Sequence, residues 1–135
     1  MRTIERAVIS AIGSLCLIGS ASAADMTGAQ IKELLSGNSI YLENTASSSG
    51  GAGQGVIYFA VDGSALFKTA KGAILHGTWS VKENTQCVDW KEQPNNPCSR
   101  YDKTGDTITI INIATGQPRG KIVKTVAGNA EKIGP

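Results

Sequence analysis

The chain has 135 residues, 13 Lys+Arg against 11 Asp+Glu, 41% hydrophobic and 5% aromatic content, which leaves room for one domain and excludes a multidomain enzyme. Its formal charge of +2 comes without a run of like charges, so the basic footprint of a nucleic-acid binder is missing. Sixteen glycines point instead to many turns.

Residues 1–23 read as a secretory signal. Arg2 and Arg6 open it, the apolar run Ala7 to Ile18 follows, and Ala21-Ser22-Ala23 fits a small-residue cleavage site, with Ala24 as the near alternative. The apolar run is shorter than the ~20 residues a spanning helix needs, so no transmembrane segment is expected in the mature chain. Cys16 raises the rival of a lipidated N-terminus, but Leu15 beside it and the small residues further off reverse the usual lipoprotein order. Cleavage after Ala23 removes Arg2, Arg6, Glu5 and Cys16, leaving 112 residues of net charge +1 and two cysteines, Cys87 and Cys98. An even pair in an exported chain favours a disulfide over a metal site or a nucleophile. Periplasmic or secreted localisation is the matching expectation.

One helix is predicted. Thr27-Gly-Ala-Gln30 is a capping box; Ile31, Leu34 and Leu35 then share a face, and Gly37 supplies the stop. Two and a half turns do not persist alone, so the apolar face must dock. Eight short strands follow: Ser39 to Thr45, Gly55 to Val61, Ser64 to Thr69, Ala73 to Lys82, Gln86 to Lys91, Ser99 to Asp102, Thr107 to Ile113 and Arg119 to Val126. Asp62-Gly63 is a dipeptide favoured in tight hairpin turns, and Lys71-Gly72 makes the next turn. Within the fourth strand Leu75, Gly77, Trp79 and Val81 alternate with polar residues, which makes Trp79 a core candidate. The connections are mostly too short for crossover helices, so the expected fold is mainly β: an up-and-down antiparallel meander closing into a small lipocalin-like barrel with one N-terminal helix. The domain organisation is then signal peptide 1–23, a single β-rich domain 24–126, and a flexible C-terminal tail 127–135. A Cys87–Cys98 disulfide would hold the Pro94-Asn95-Asn96-Pro97 loop between two strands.

Tests for catalytic chemistry find little. The stretch Gly50-Gly51-Ala52-Gly53-Gln54-Gly55 lacks the Gly-Lys-Ser/Thr ending and the following helix of a phosphate loop. It reads as a flexible loop and, on a barrel rim, as a possible contact surface through Gly50, Gly51, Gly53, Gln54 and Gly55. His76 is the single histidine, so a triad or a His-rich metal site has little support. Asp89 with Glu92, and Asp102 with Asp106, bracket turns where carboxylates are solvated. Catalytic, cofactor-binding and metal residues are all expected to be none. Tyr58, Leu75, Trp79 and Trp90 are the candidates to line a ligand cavity, with core filling as the competing reading.

Met26-Thr-Gly-Ala-Gln-Ile31 with Leu34 to Gly37, Tyr58-Phe-Ala-Val-Asp-Gly63, Gly77-Thr-Trp79-Ser-Val81, Cys87-Val-Asp-Trp90, and Cys98 with Tyr101 form a set that resembles a family of small exported alphaproteobacterial proteins catalogued as a domain of unknown function. The resemblance implies export and a disulfide-bearing β-rich fold, and implies no catalytic residues. Gly77-Thr-Trp79 is also similar to the Gly-x-Trp element of lipocalin-type barrels, though it lies near the fourth strand and not on the first; carrier function follows by fold analogy alone. The expected function is a non-enzymatic binding protein of the envelope, taking a small apolar ligand in the barrel or an envelope protein on its loops. The alternative is a periplasmic protease inhibitor of the small β-barrel type, which requires Ala24 to Gly28 free and extended. A hydrolase built on Asp89, Asp102 or Asp106 would need those carboxylates in one cleft.

Overall fold

A computed structural model describes residues 24–134; the expected signal segment lies outside them. The chain runs β1 (Ala24–Asp25), α1 (Gly28–Leu35), β2 (Asn38–Asn44), β3 (Gly53–Phe59), β4 (Ser64–Lys68), β5 (Ile74–Lys82), β6 (Thr85–Trp90), β7 (Ser99–Thr104), β8 (Thr107–Asn112) and β9 (Pro118–Ala127). Strands β2 to β9 each pair antiparallel with the next, and β9 returns to β2, so eight strands close a barrel. This is the meander expected from the short connections. Asp62-Gly63 makes its turn through a positive φ at Gly63, and the Asp62 carboxylate accepts from the Ser64 N–H at 2.8 Å.

Alternation decides which side chains fill the interior. Ile40 and Leu42 of β2, Phe59 of β3, Ala65 and Phe67 of β4, Leu75 of β5, Trp90 of β6, Tyr101 of β7 and Ile110 of β8 all belong to one buried cluster. Helix α1 closes one end. The Thr27 hydroxyl accepts the Gln30 N–H at 3.2 Å while the Gln30 side chain accepts the Thr27 N–H at 2.9 Å, the reciprocal cap its sequence predicts. Ile31 and Leu35 are fully buried against the barrel, each worth about 1.5–3 kcal/mol of burial. The helix start is held at the β5–β6 turn, where the Gly28 N–H donates to Asn84 Oδ1 at 2.9 Å.

Two features differ from expectation. A ninth strand, β1, pairs with β7 through Ala24↔Lys103 and Asp25↔Asp102, and the Met26 N–H donates to the Tyr101 carbonyl at 2.8 Å. Two residues carry no alternation to read, so its pairing has no sequence signal. The segment expected as a flexible tail is docked as far as it is described. Ser39, fully buried, donates from Oγ to the Gly128 carbonyl at 2.6 Å and accepts from the Ala130 N–H at 3.0 Å. Ile133 is buried, and Asn129 bonds its backbone on both sides. A polar composition concealed one apolar anchor and a serine that replaces solvent as partner for the tail's backbone.

Candidate functional site

The four connections β2–β3, β4–β5, β6–β7 and β8–β9 gather at the end of the barrel opposite the helix, as an up-and-down meander requires. Beneath them lies a chamber of about 40 Å³, with Leu42, Ile57, Phe59, Phe67, Val88, Trp90 and Ile110 as apolar wall. Pockets for drug-sized ligands run ~300–1,000 Å³, so side chains fill most of the barrel and leave space for a few heavy atoms. The Ser- and Gly-rich β2–β3 connection roofs it. A Cβ on Gly50 would stand 2.6 Å, and on Gly55 2.7 Å, from the Phe67 ring, so these glycines allow the backbone to lie on that ring. Of the remaining contact-loop candidates, Gly51 and Gly53 are half-buried and Gln54 is exposed, with positive φ at both glycines.

Arg119 dominates the mouth. Simple alternation along β9 puts Gly120 and Ile122 inward and Arg119 outward. The register, however, passes from Ile110↔Gly120 to Ile111↔Pro118, leaving Arg119 as an extra residue. Such a bulge re-aims a side chain, and the guanidinium turns into the chamber. Its Nη1 donates to the Pro97 carbonyl and to Ser99 Oγ, both at 3.0 Å, and its Nη2 to Ser49 Oγ at 2.6 Å. Three chain segments are thereby tied to one cation. Among the described residues no carboxylate lies within 4.0 Å of it; the ion pairs present involve His76, Arg100 and Lys121. Burial pulls the Arg119 pKa down from its ordinary value, and the nearby Tyr101 opposes that shift. A guanidinium remains charged all the same, so the mouth presents a partly desolvated, uncompensated positive charge.

Deeper in the chamber, Tyr101 is 1% exposed and donates from Oη to Gln86 Oε1 at 3.1 Å. Burial drives the Tyr101 pKa far above its usual 10, so the hydroxyl stays protonated and acts as donor. Gln86 presents Oε1 to Tyr101, and its Nε2, buried, has no partner. Gln86 is 4% exposed and pairs across the ladder with Ser99, which Arg119 touches. Two donor groups thus flank Ser99 inside one chamber. An unsatisfied buried donor costs about 1–3 kcal/mol, so an acceptor here has a defined place.

Of the four candidate cavity residues, Trp90 lines this chamber. Leu75 is buried in the core; Trp79 is part-buried nearer the β3–β4 turn, edge-on to Phe59 at 5.5 Å, with Nε1 donating to the Ala60 carbonyl at 2.8 Å. Tyr58 is a correction. It alternates with the inward Ile57 and Phe59 and faces outward, paired with Ser39 and Leu66; an aromatic on a barrel strand is not thereby interior. Cys87 and Cys98 form the disulfide, with Cα atoms 4.3 Å apart. Asn96 holds the same loop, its Oδ1 accepting from the Trp90 N–H at 3.0 Å and its Nδ2 donating to the Gln93 carbonyl at 3.1 Å.

Asp89, Glu92, Asp102 and Asp106 do not line the chamber. Glu92 accepts from the His76 N–H at 2.9 Å and meets its Nδ1 at 2.7 Å, and Asp102 stands 4.0 Å from Arg100. Among the described residues no three His, Cys, Asp or Glu side chains are placed to hold a metal ion, and no helix is long and apolar enough to cross a membrane. Sequence reasoning missed Arg119 and Gln86; alternation along β9 places Arg119 outward, so its inward turn at the bulge carries no local signal. No protein-family model, curated protein or solved structure matches the chain at a significant level.

Proposed function

We propose that this chain is an exported, non-enzymatic binding protein of the cell envelope that receives a small ligand end-on through the mouth of its barrel. The observation that carries the reading is the chamber itself: an apolar wall that includes Trp90 and Phe67, under a rim whose single cation, Arg119, has no carboxylate beside it. Apolar walls with a few converging polar groups are the ordinary construction of a small-molecule site. The chamber's size favours a compact ligand or the end of a longer one. The Cys87–Cys98 bond accords with an oxidising compartment. A protease-inhibitor reading needs Ala24 to Gly28 free, and those residues are the paired strand β1 and the cap and first residue of α1.

Native mass spectrometry of the full chain recovered from the envelope of an expressing cell tests the proposal. The expected result is a retained small-molecule mass that disappears in an Ile57→Phe variant, which fills the chamber, with near-UV circular dichroism confirming the fold. Bare protein mass from a correctly folded, disulfide-bonded sample would overturn it.

A further inference from the structure

Resting on that reading, we infer that the chamber is selective for a short-chain monocarboxylate, held with its carboxylate between Arg119 and Gln86 Nε2 and its alkyl end against Trp90 and Phe67. Three independent observations converge. Arg119 is a cation turned inward by a bulge, with no carboxylate within 4.0 Å among the described residues. Gln86 Nε2 is a buried donor with no acceptor. Both belong to one chamber and both adjoin Ser99. An anion satisfies both groups at once; water satisfies the amide but leaves the charge uncompensated.

Shape then narrows the anion. A guanidinium matches the planar, two-oxygen face of a carboxylate better than it matches a spherical ion. The chamber of about 40 Å³ exceeds the roughly 10–15 Å³ that a single water needs, so it holds a few heavy atoms. Its deeper wall is apolar, so an alkyl group of one or two carbons gains by burial at about 0.8 kcal/mol per CH₂ where an inorganic oxyanion gains nothing. Longer chains clash with Phe67 and Trp90 in the packed interior.

The test is a titration of the intact, disulfide-bonded protein with sodium acetate, propionate and hexanoate, with sodium nitrate and sodium chloride as anion controls. It is followed through the Trp90 indole N–H cross-peak in ¹H–¹⁵N NMR spectra. Saturable shifts with acetate and propionate, at least tenfold weaker with nitrate, chloride and hexanoate, are expected. Gln86→Glu supplies an internal carboxylate to the chamber and should weaken acetate at least tenfold without unfolding the barrel. Arg119→Gln should do the same, and if it fails to fold, Gln86→Glu still decides the matter. Equal response to nitrate and acetate would replace the carboxylate inference with a general anion site. Absence of any response, while native spectra of the envelope-derived protein retain a ligand, would overturn this inference and leave the proposed function standing. Absence of both would overturn the two together.

Discussion

The barrel closes at two seams by different means. Between β2 and β9 the ladder runs over seven pairs, from Asn38↔Ala127 to Asn44↔Gly120, with one register shift that leaves Val123 as the extra residue. Between β6 and β7 there is one pair, Gln86↔Ser99. There the Cys87–Cys98 bond, adjacent to that pair, does what the missing ladder does elsewhere, and β1 covers the part of β7 that β6 leaves behind. One seam is therefore held by many weak backbone bonds and the other by one covalent bond. The consequence is local: the chamber's polar groups Gln86, Ser99 and the Pro97 carbonyl all sit at the covalent seam.

Breaking each seam separately sharpens the contrast. Replacing Cys87 and Cys98 by serine should cost about 3 kcal/mol in chemical denaturation, the loop-entropy scale for a closed loop of this size. Hydrogen exchange should rise in β6, β7 and β1 while β2 and β9 keep their protection; uniform exposure of both seams would refute the division. At the hydrogen-bonded seam, Ser39→Ala removes the buried hydroxyl that serves both the Gly128 carbonyl and the Ala130 N–H. It should cost about 1–3 kcal/mol and free the segment after β9 to exchange, leaving β6 and β7 unchanged.

The smallest effect is a titration. Glu92, in the β6–β7 connection, has its carboxyl held below the ordinary 4.5 first by the His76 backbone N–H and next by the His76 side chain. Since the folded pKa is the lower one, its contribution is complete above the ordinary value and is lost as pH falls through the lowered pKa. Glu92→Gln should therefore lower stability slightly at neutral pH, where the contribution is complete, and flatten the acid limb of a stability-against-pH curve below about pH 4.5, so that the two curves converge in acid. An unchanged acid limb would show that this exposed pair does not secure the connection.

The meander was legible because its signals are local. Asp62-Gly63 sets a turn, the alternation from Leu75 to Val81 sets a face, and Thr27 with Gln30 starts a helix whose Ile31 and Leu35 demand a surface. The pair Cys87 and Cys98, left after the segment expected to be a signal, made the disulfide legible as well. Tyr58 faces outward once the alternation that places Trp79 is followed along β3, where Ile57 and Phe59 take the inward positions. The candidate site was scarcely legible. Trp90 was named as a core or ligand residue and the glycines as a surface loop, whereas Arg119 owes its direction to a bulge defined by the pairing of β8 with β9.

By itself the sequence determined the class of the protein: short strands, tight turns, one capped helix and a cysteine pair, each specified by neighbours within a few residues. Tertiary structure alone decided what faces the interior at the mouth, that β1 completes the covalent seam, and that Ile133 and Ser39 draw the chain's end onto β2. The physical reason is range. Turn chemistry and alternation act along the chain, while the register between β8 and β9, and the single pair between β6 and β7, are settled only when the barrel closes and every buried polar group seeks a partner.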